Sequence, residues 1–172
     1  MNYNWNWAIL VTDPYFGWII SGLGWTLAVA ICAWVIAFSL GSVIGIMRTV
    51  DNPVISTIGA SYVEVFRNIP LLVQMFLWYF IFPELLPEEA GTWVKRGMPL
   101  PEFWTAVVCL GTYTASRVAE QVRAGINAIG IGQRQAAMAI GLTPRQVYRY
   151  VLLPVSYRTI IPPMTSEFLG IF

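Results

Sequence analysis

The stretch from Ile20 to Met47 reads ISGLGWTLAVAICAWVIAFSLGSVIGIM and contains no charged residue. About 20 apolar residues are enough for a helix to cross the roughly 30 Å hydrocarbon core of a bilayer. Gly41 and Gly45 lie four residues apart near its end, a small-xxx-small spacing that favours close packing of another helix. We therefore predict a first membrane span here, with some tilt.

The composition of the whole chain also indicates a membrane protein. Of its 172 residues, 57% are hydrophobic and 11% are charged, whereas soluble domains are about 25% charged. The net charge of +1 gives no electrostatic case for nucleic-acid binding, and the absence of His removes the commonest general base and metal ligand. No catalytic residue, metal site or cofactor is predicted. Cys32 and Cys109 lie within apolar runs and are expected to be small buried hydrophobic residues.

Residues 1–13 are expected to lie at the membrane–water interface, because they mix Trp5 and Trp7 with asparagines. No Lys or Arg precedes Arg48, so the basic segment of a signal peptide is missing. The first span is therefore expected to stay in the mature protein.

A second apolar segment runs from Val54 to Phe82, after a polar break at residues 48–53. Glu64 and Arg67 interrupt it, and their i, i+3 spacing lets them pair on one helix face. Charges within a membrane usually face protein or water, so this pair is expected near one surface. Pro70 suits the first turn of a renewed helix.

A third apolar run extends from Phe103 to Ser116 and then becomes amphipathic. Glu120 lies three residues from both Arg117 and Arg123, which predicts one helix that leaves the membrane with its charges paired along a face. The predicted fold class is all-α, a polytopic membrane helical bundle with three full spans and the start of a fourth.

The distribution of Lys and Arg orients these spans, since cytoplasmic loops are enriched in both. Six Arg residues fall between positions 117 and 158, whereas the segment 83–102, expected to be a loop, is net acidic. Residues 48–53 and 117–158 are therefore predicted to be cytoplasmic, and the N-terminus and the 83–102 segment to lie outside.

The last residues predict the beginning of the fourth span. Pro162 and Pro163 suit the entrance of a helix. The nine residues of Met164–Phe172 would rise about 14 Å, less than half of a bilayer. We expect residues 1–172 to form one membrane domain that is incomplete at its C-terminus.

The strongest local pattern lies in residues 133–154, hereafter the elbow. Its first part is rich in helix formers, and Gly141 suits a left-handed cap at the end of that helix. Thr143 and Pro144 suit the cap and the first position of a second helix, which Pro154 is expected to end. The pattern predicts a cytoplasmic helix-turn-helix shaped to enter a groove on a partner.

Two other interpretations of the elbow stay open from the residues alone. It could be an amphipathic connector that lies on the membrane surface. It could also be a DNA-binding helix-turn-helix in which Arg145 and Arg149 contact phosphates, although the near-neutral charge and the tether to membrane spans disfavour this.

The elbow resembles the Glu-Ala-Ala loop of ABC importer permeases. That pattern is Glu-Ala-Ala, three residues, Gly, nine residues, Ile, any residue, Leu and Pro, and the spacing matches at every position. Gln135 replaces the Glu, which removes a charge that could pair with an ATPase, and Val151 replaces the Ile. The residues that carry the resemblance are Gln135, Ala136, Ala137, Gly141, Val151, Leu153 and Pro154.

Further stretches resemble the polar amino acid branch of that family and extend the likeness over nearly all of residues 18–168. They include Phe66–Gln74, Tyr113–Glu120 and Arg123–Ile126. The likeness is strongest to permeases that import glutamate and aspartate. Members of the family continue with further spans beyond the point where this sequence ends.

The resemblance implies a membrane permease subunit of an ATP-driven importer of polar amino acids, glutamate or aspartate, in the bacterial inner membrane. The implied partners are an ATP-binding ABC ATPase subunit docked on the elbow, a second permease subunit and a periplasmic amino-acid-binding protein, with membrane lipid around the spans. The permease itself would perform no chemistry. A channel or secondary transporter would explain the spans but not the spacing of the elbow, and a non-transporting truncated remnant is a further alternative.

Four charged residues are candidates for the translocation path. An anionic substrate needs a compensating cation in a low-dielectric path, and Arg67 and Arg117 could supply it, with Glu64 and Glu120 as possible partners. The alternative is that these residues only neutralise one another near the cytoplasmic surface.

Overall fold

The computed structural model describes residues 6–172 and is built from helices, as the sequence predicts. The interfacial position expected for Trp5 lies outside the described residues. A short 3-10 turn at Trp7–Val11 precedes the first α-helix. The α-helices are α1 (Tyr15–Met47), α2 (Pro53–Asn68), α3 (Leu71–Phe76), α4 (Phe82–Leu85), α5 (Glu88–Thr92), α6 (Pro101–Asn127), α7 (Ile131–Ala139), α8 (Pro144–Val147) and α9 (Leu153–Leu169).

Helices α1 and α6 run parallel through the centre of the bundle. In the N-terminal half of each helix, the rings of Trp25 and Phe103 lie 5.8 Å apart. Near their last residues, Gly45 faces Val122. Two parallel helices require the chain between them to return across the bundle, which agrees with the predicted alternation of spans.

The closest approach of these two helices is made by glycines of α1. A Cβ placed on Gly41 would lie 2.6 Å from the backbone oxygen of Ala115, and a Cβ on Gly45 would lie 2.8 Å from that of Ala119. Neither distance leaves room for a larger side chain. The predicted helix packing through the small-xxx-small spacing is therefore confirmed.

The returning segment is bent sharply at Pro70. Helix α2 and the helical stretch Leu71–Leu85 meet at an angle of 101°. Gln74 is 3% exposed, and its Nε2 donates to the carbonyls of Phe66 (2.7 Å) and Ile69 (2.9 Å) at the end of α2. The predicted renewal of a helix after Pro70 is confirmed. At the end of α2 the last carbonyls have no backbone N–H to bond, and the side-chain amide of Gln74 donates to two of them instead.

The three predicted full spans differ in character. Within residues 6–172, α1 alone is a single helix both long and apolar enough to cross a membrane, and α2 with Leu71–Leu85 satisfies the same condition as one bent span. Helix α6 is as long as a span but less apolar, because it carries the charged residues Arg117, Glu120 and Arg123 as well as several hydroxyl residues. Thr112 and Ser116 donate to backbone carbonyls of their own helix at 2.8 and 2.6 Å, and α6 is largely buried by its neighbours.

The segment predicted as the 83–102 loop is mostly helical, so that prediction was wrong. Helix α4, helix α5 and a π-helical turn at Trp93–Gly97 fold back on one another, and we call residues 82–97 the hairpin. Gly91 packs so closely on Pro83 that there is no room for a Cβ beside the Pro83 carbonyl oxygen. Lys95 also pairs with Glu84. These local contacts order a segment whose charges alone suggested a loop.

The predicted helix start at Pro162 and Pro163 was also wrong, because both prolines lie inside α9. Helix α9 runs antiparallel to α6, with Ile160 against Gly125. A packed membrane helix tolerates internal proline because neighbouring groups satisfy the freed backbone. Side chains of α6, the elbow and α9 share one core, formed by Val118, Val122, Ile126, Ala137, Val147, Leu152, Ile160 and Met164.

Candidate coupling elbow

The first arm of the elbow, α7, ends in a left-handed cap. Gly141 has a φ of +90°, a conformation that L side chains rarely adopt. Its N–H donates to the carbonyl of Met138 (3.0 Å), and the N–H of Leu142 donates to that of Ala137 (3.2 Å). This pair of bonds is a Schellman motif, and it confirms the role predicted for Gly141.

The second arm begins at once with a capping box. The backbone N–H of Thr143 donates to Gln146 Oε1 (2.8 Å), and the N–H of Gln146 donates to Thr143 Oγ1 (3.4 Å). Pro144 occupies the first helical turn, where its missing N–H has no consequence. Both predictions for this helix start are confirmed. Only three residues, Ile140, Gly141 and Leu142, lie between the end of α7 and the cap of the second arm.

Pro154 does not end the second arm, contrary to the prediction. The chain stays helical from Pro144 to Leu169, through a π-helical turn at Tyr148–Leu152. In that turn, the N–H of Leu153 donates to the carbonyl of Tyr148, five residues earlier. The wider turn changes the hydrogen-bond register just before Pro154, so the proline is accommodated instead of breaking the helix.

The seven predicted elbow residues divide between an exposed and a packed group. Gln135, Ala136 and Gly141 are exposed, as is Pro154 at the other end of the element. The packed residues lie against the shared core, and Ala137 is only 5% exposed. The packed group is Ala137, Val151 and Leu153.

Two apolar side chains at the tip of the elbow were missed by the sequence reasoning. Ile140 is 79% exposed and Met138 is 43% exposed. Both side chains lie beside the polar turn at the tip, where a partner protein could cover them. Ile140 lies three residues after the buried Ala137, a spacing that places both on one helix face, so periodicity gave no signal that Ile140 would be exposed.

Both arms of the elbow contact the turn between α1 and α2. Arg134 of α7 pairs with Asp51, and this hydrogen bond raises the pKa of the Arg134 guanidinium. The hydroxyl of Tyr148 donates to the backbone oxygen of Thr49 (2.7 Å). These contacts place the turn and the elbow at the same end of the bundle.

Beside that turn, Glu120 of α6 is the centre of a charge network. It pairs with Arg48, which is 13% exposed, and with Arg123 at 2.9 Å. Arg67 lies 3.8 Å from the same carboxylate, so the predicted pairing of Arg67 with Glu64 was wrong and Glu64 is exposed. The fold brings three helices together here, a juxtaposition that the i, i+3 spacing along one helix could not indicate.

Arg117 pairs with Glu167 of α9, with 3.0 Å between Nε and Oε2. It does not pair with Glu120, as the sequence suggested, because the antiparallel packing of α9 presents a carboxylate to the other side of α6. Glu167 is 17% exposed, whereas Arg117 is half exposed. A role for either pair in a translocation path stays a prediction.

A helical membrane bundle that presents a helix-turn-helix at one end is the class of protein that this fold and this site define. The model of the family described as binding-protein-dependent transport system inner membrane component matches residues 37–172. The chain belongs to this family.

Relatives with assigned roles are similar along nearly the whole chain. The glutamate/aspartate import permease protein GltJ of Escherichia coli strain K12 is 51% identical, over 99% of this chain and 73% of that protein. The glutamate/aspartate import permease protein GltK of Escherichia coli O157:H7 is 30% identical, over 99% of this chain and 74% of that protein. The arginine transport system permease protein ArtQ of Bacillus subtilis is 34% identical, over 91% of this chain and 67% of that protein.

Two solved structures have the same fold. The crystal structure of an amino acid ABC transporter with histidines superposes with a TM-score of 0.76 and 32% identity, covering 98% of this chain and 72% of that one. The MetNI methionine ABC transporter superposes with a TM-score of 0.76 at 23% identity, covering 93% of this chain and 72% of that one, and this likeness concerns the fold alone.

Proposed function

We propose that this protein is a permease subunit of an ATP-driven importer of glutamate and aspartate. The observation that carries the proposal is the 51% identity to a glutamate/aspartate import permease along 99% of the chain. The arginine permease, at 34%, and GltK, at 30%, are both much less similar than GltJ, so the substrate assignment rests on the similarity to GltJ.

The elbow is the docking element for an ATP-hydrolysing partner subunit. Its tip exposes Gln135, Ala136 and Gly141 next to the uncovered side chain of Ile140. Its other face is fixed to the bundle through Ala137 and the shared core, so the tip is held rigidly outward. The permease then contributes no catalytic group, and ATP hydrolysis belongs to the partner.

Two further partners complete the transporter. A second permease subunit would cover the apolar faces that α1 and the bent segment expose, and the similarity to both GltJ and GltK is consistent with a paired arrangement. The family description names a binding protein, which would deliver the amino acid at the opposite end from the elbow. The elbow and the turn at residues 48–52 face the cytoplasm, and the N-terminus and the hairpin face the periplasm.

The candidate path residues keep their role as a proposal, with corrected partners. Arg67 contacts the Glu120 network at 3.8 Å while half of its side chain stays exposed, and Arg117 is similarly half exposed beside Glu167. Both cations lie towards the end of the bundle that carries the elbow, where charged side chains face protein or water. They are the groups in this chain that could attract a substrate carboxylate.

Transport by the assembled importer tests the proposal. The chain is co-expressed with the ATPase and second permease of its transporter, purified, and reconstituted into vesicles with the binding protein. We expect ATP-dependent uptake of labelled glutamate and aspartate, and co-purification of the ATPase. Uptake of arginine in preference to glutamate would contradict the substrate, and uptake without ATP would favour a channel or secondary transporter.

A further inference from the structure

We propose that the turn between α1 and α2, residues 48–52, is a relay that transmits movement of the elbow into α1, α2 and α6. The proposal rests on the proposed function, since it assumes that an ATPase subunit moves the elbow. Its basis is that one short turn is held from two sides, by both arms of the elbow and by the charge network of α6.

On the elbow side, the turn makes two contacts, one with each arm. Asp51 pairs with Arg134 of the first arm, and the backbone oxygen of Thr49 accepts from the Tyr148 hydroxyl of the second arm at 2.7 Å. The hydroxyl also lies 3.3 Å from Thr49 Oγ1. Because each arm has its own contact, movement of either arm acts on the turn.

On the bundle side, Arg48 carries the connection onward. Its stem crosses α2 at Gly59, where a Cβ would lie 2.8 Å from Arg48 Cγ. Its guanidinium then reaches Glu120 of α6 with only 13% of the side chain exposed. Movement of the turn therefore acts on α2 and α6 through the side chain of Arg48, which protein surrounds on most sides.

The two elbow contacts differ in strength, which makes the proposal specific. Asp51 is 76% exposed, and exposed ion pairs contribute little. The Tyr148 bond is partly buried and ends on a backbone oxygen that has a fixed position. Tyr148 is therefore the main positioning residue of the relay, and Asp51 and Arg134 are secondary.

The test measures substrate transported per ATP hydrolysed in the assembled, reconstituted importer. Tyr148→Phe removes only the hydroxyl, and the loss of one such hydrogen bond is expected to lower this ratio about fivefold. Tyr157→Phe is the matched control, since its ring packs on Phe38 with centroids 5.8 Å apart and its hydroxyl bonds to no group among residues 6–172. Charge reversal at the ion pair is a second experiment. We expect Asp51→Arg or Arg134→Asp alone to lower the ratio about twofold, and the two substitutions together to restore it.

The outcomes separate the relay from the proposed function. If the unmodified chain fails to retain the ATPase or to import acidic amino acids, the proposed function fails and the relay falls with it. If the unmodified chain works and Tyr148→Phe retains the ATPase but transports less per ATP than Tyr157→Phe, the relay is supported. An unchanged ratio in Tyr148→Phe and in both single charge reversals overturns the relay and leaves the proposed function intact.

Discussion

The two ends of the bundle are stabilised by different kinds of contact. At the elbow end, the ion pairs and hydrogen bonds join residues far apart in sequence, such as Arg48 with Glu120 and Tyr148 with Thr49. At the other end, the hairpin closes on itself, and its Lys95–Glu84 pair spans eleven positions. The first arrangement joins several helices to one another, whereas the polar contacts of the second lie within the hairpin itself.

This difference predicts which substitutions destabilise the whole bundle and which have only a local effect. A change at the elbow end removes a partner from two or more helices at once, so its effect reaches the whole bundle. A change in the hairpin affects a group that is already solvent-accessible and locally bound. The following substitutions test that contrast, from the largest expected effect to the smallest.

Glu120→Gln is expected to destabilise the protein most. It leaves Arg48 and Arg123 without their counter-charge, and because this network is only partly buried the loss of its charged hydrogen bonds is expected to cost about 2–3 kcal/mol. For a chain of this size we expect the apparent Tm in detergent to fall by roughly 10 °C. Glu88→Gln in the hairpin is the control, and an equal fall in both variants would refute the contrast between the two ends.

Gly45→Ala is expected to cost about 1–3 kcal/mol by overpacking. Its new methyl group would lie 2.6 Å from Val122 Cβ and 2.8 Å from the backbone oxygen of Ala119, so α1 and α6 must separate. Gly22→Ala is the control in the same helix, because a Cβ there meets nothing within 4 Å. Thermal unfolding should show a loss for the first variant and a small gain for the second, and similar values for both would contradict the packing.

Gly141→Asp is expected to cost about 1–2 kcal/mol locally, since an L side chain must adopt a left-handed conformation. The larger consequence is functional, because the strain reorients the elbow tip and should greatly reduce co-purification of the ATPase. Gly132→Asp is the control. Gly132 lies in α7, its φ is not positive, and a Cβ there would meet nothing within 4 Å. Undiminished ATPase binding in Gly141→Asp would exclude the elbow as the docking element.

Lys95→Met is expected to change the free energy of unfolding by less than about 1 kcal/mol, because exposed ion pairs are weak. Glu84 is 69% exposed and Lys95 is 39% exposed, so water replaces the lost contact. The difference in unfolding free energy between Lys95→Met and the unmodified protein should also change little with salt concentration. A loss as large as that of Glu120→Gln would show that the hairpin is tied to the bundle.

Local turn chemistry made the elbow predictable from sequence. Gly141, Thr143 and Pro144 each act within four residues of their own position, and all three adopt the expected roles. The small-xxx-small pair Gly41 and Gly45 was equally informative because its spacing alone defines a contact face.

Charge pairing was predicted poorly because it depends on which helices the fold brings together. Spacing along one helix suggested Glu64 for Arg67 and Glu120 for Arg117, whereas the partners are Glu120 and Glu167. Proline also misled where its effect depends on neighbours. A helix starts at Pro70 as predicted. Pro154, in contrast, is accommodated by a π-helical turn that the local sequence does not predict.

The uninterrupted helix from Pro144 to Leu169 gives the elbow a lever arm. At 1.5 Å per residue this helix is about 39 Å long. If this helix moves as one body, a tilt of about 10° at the elbow would displace the far end of α9 by roughly 7 Å. Had Pro154 ended the helix, the same tilt would have been absorbed at a joint, and the displacement would have stayed at the membrane surface.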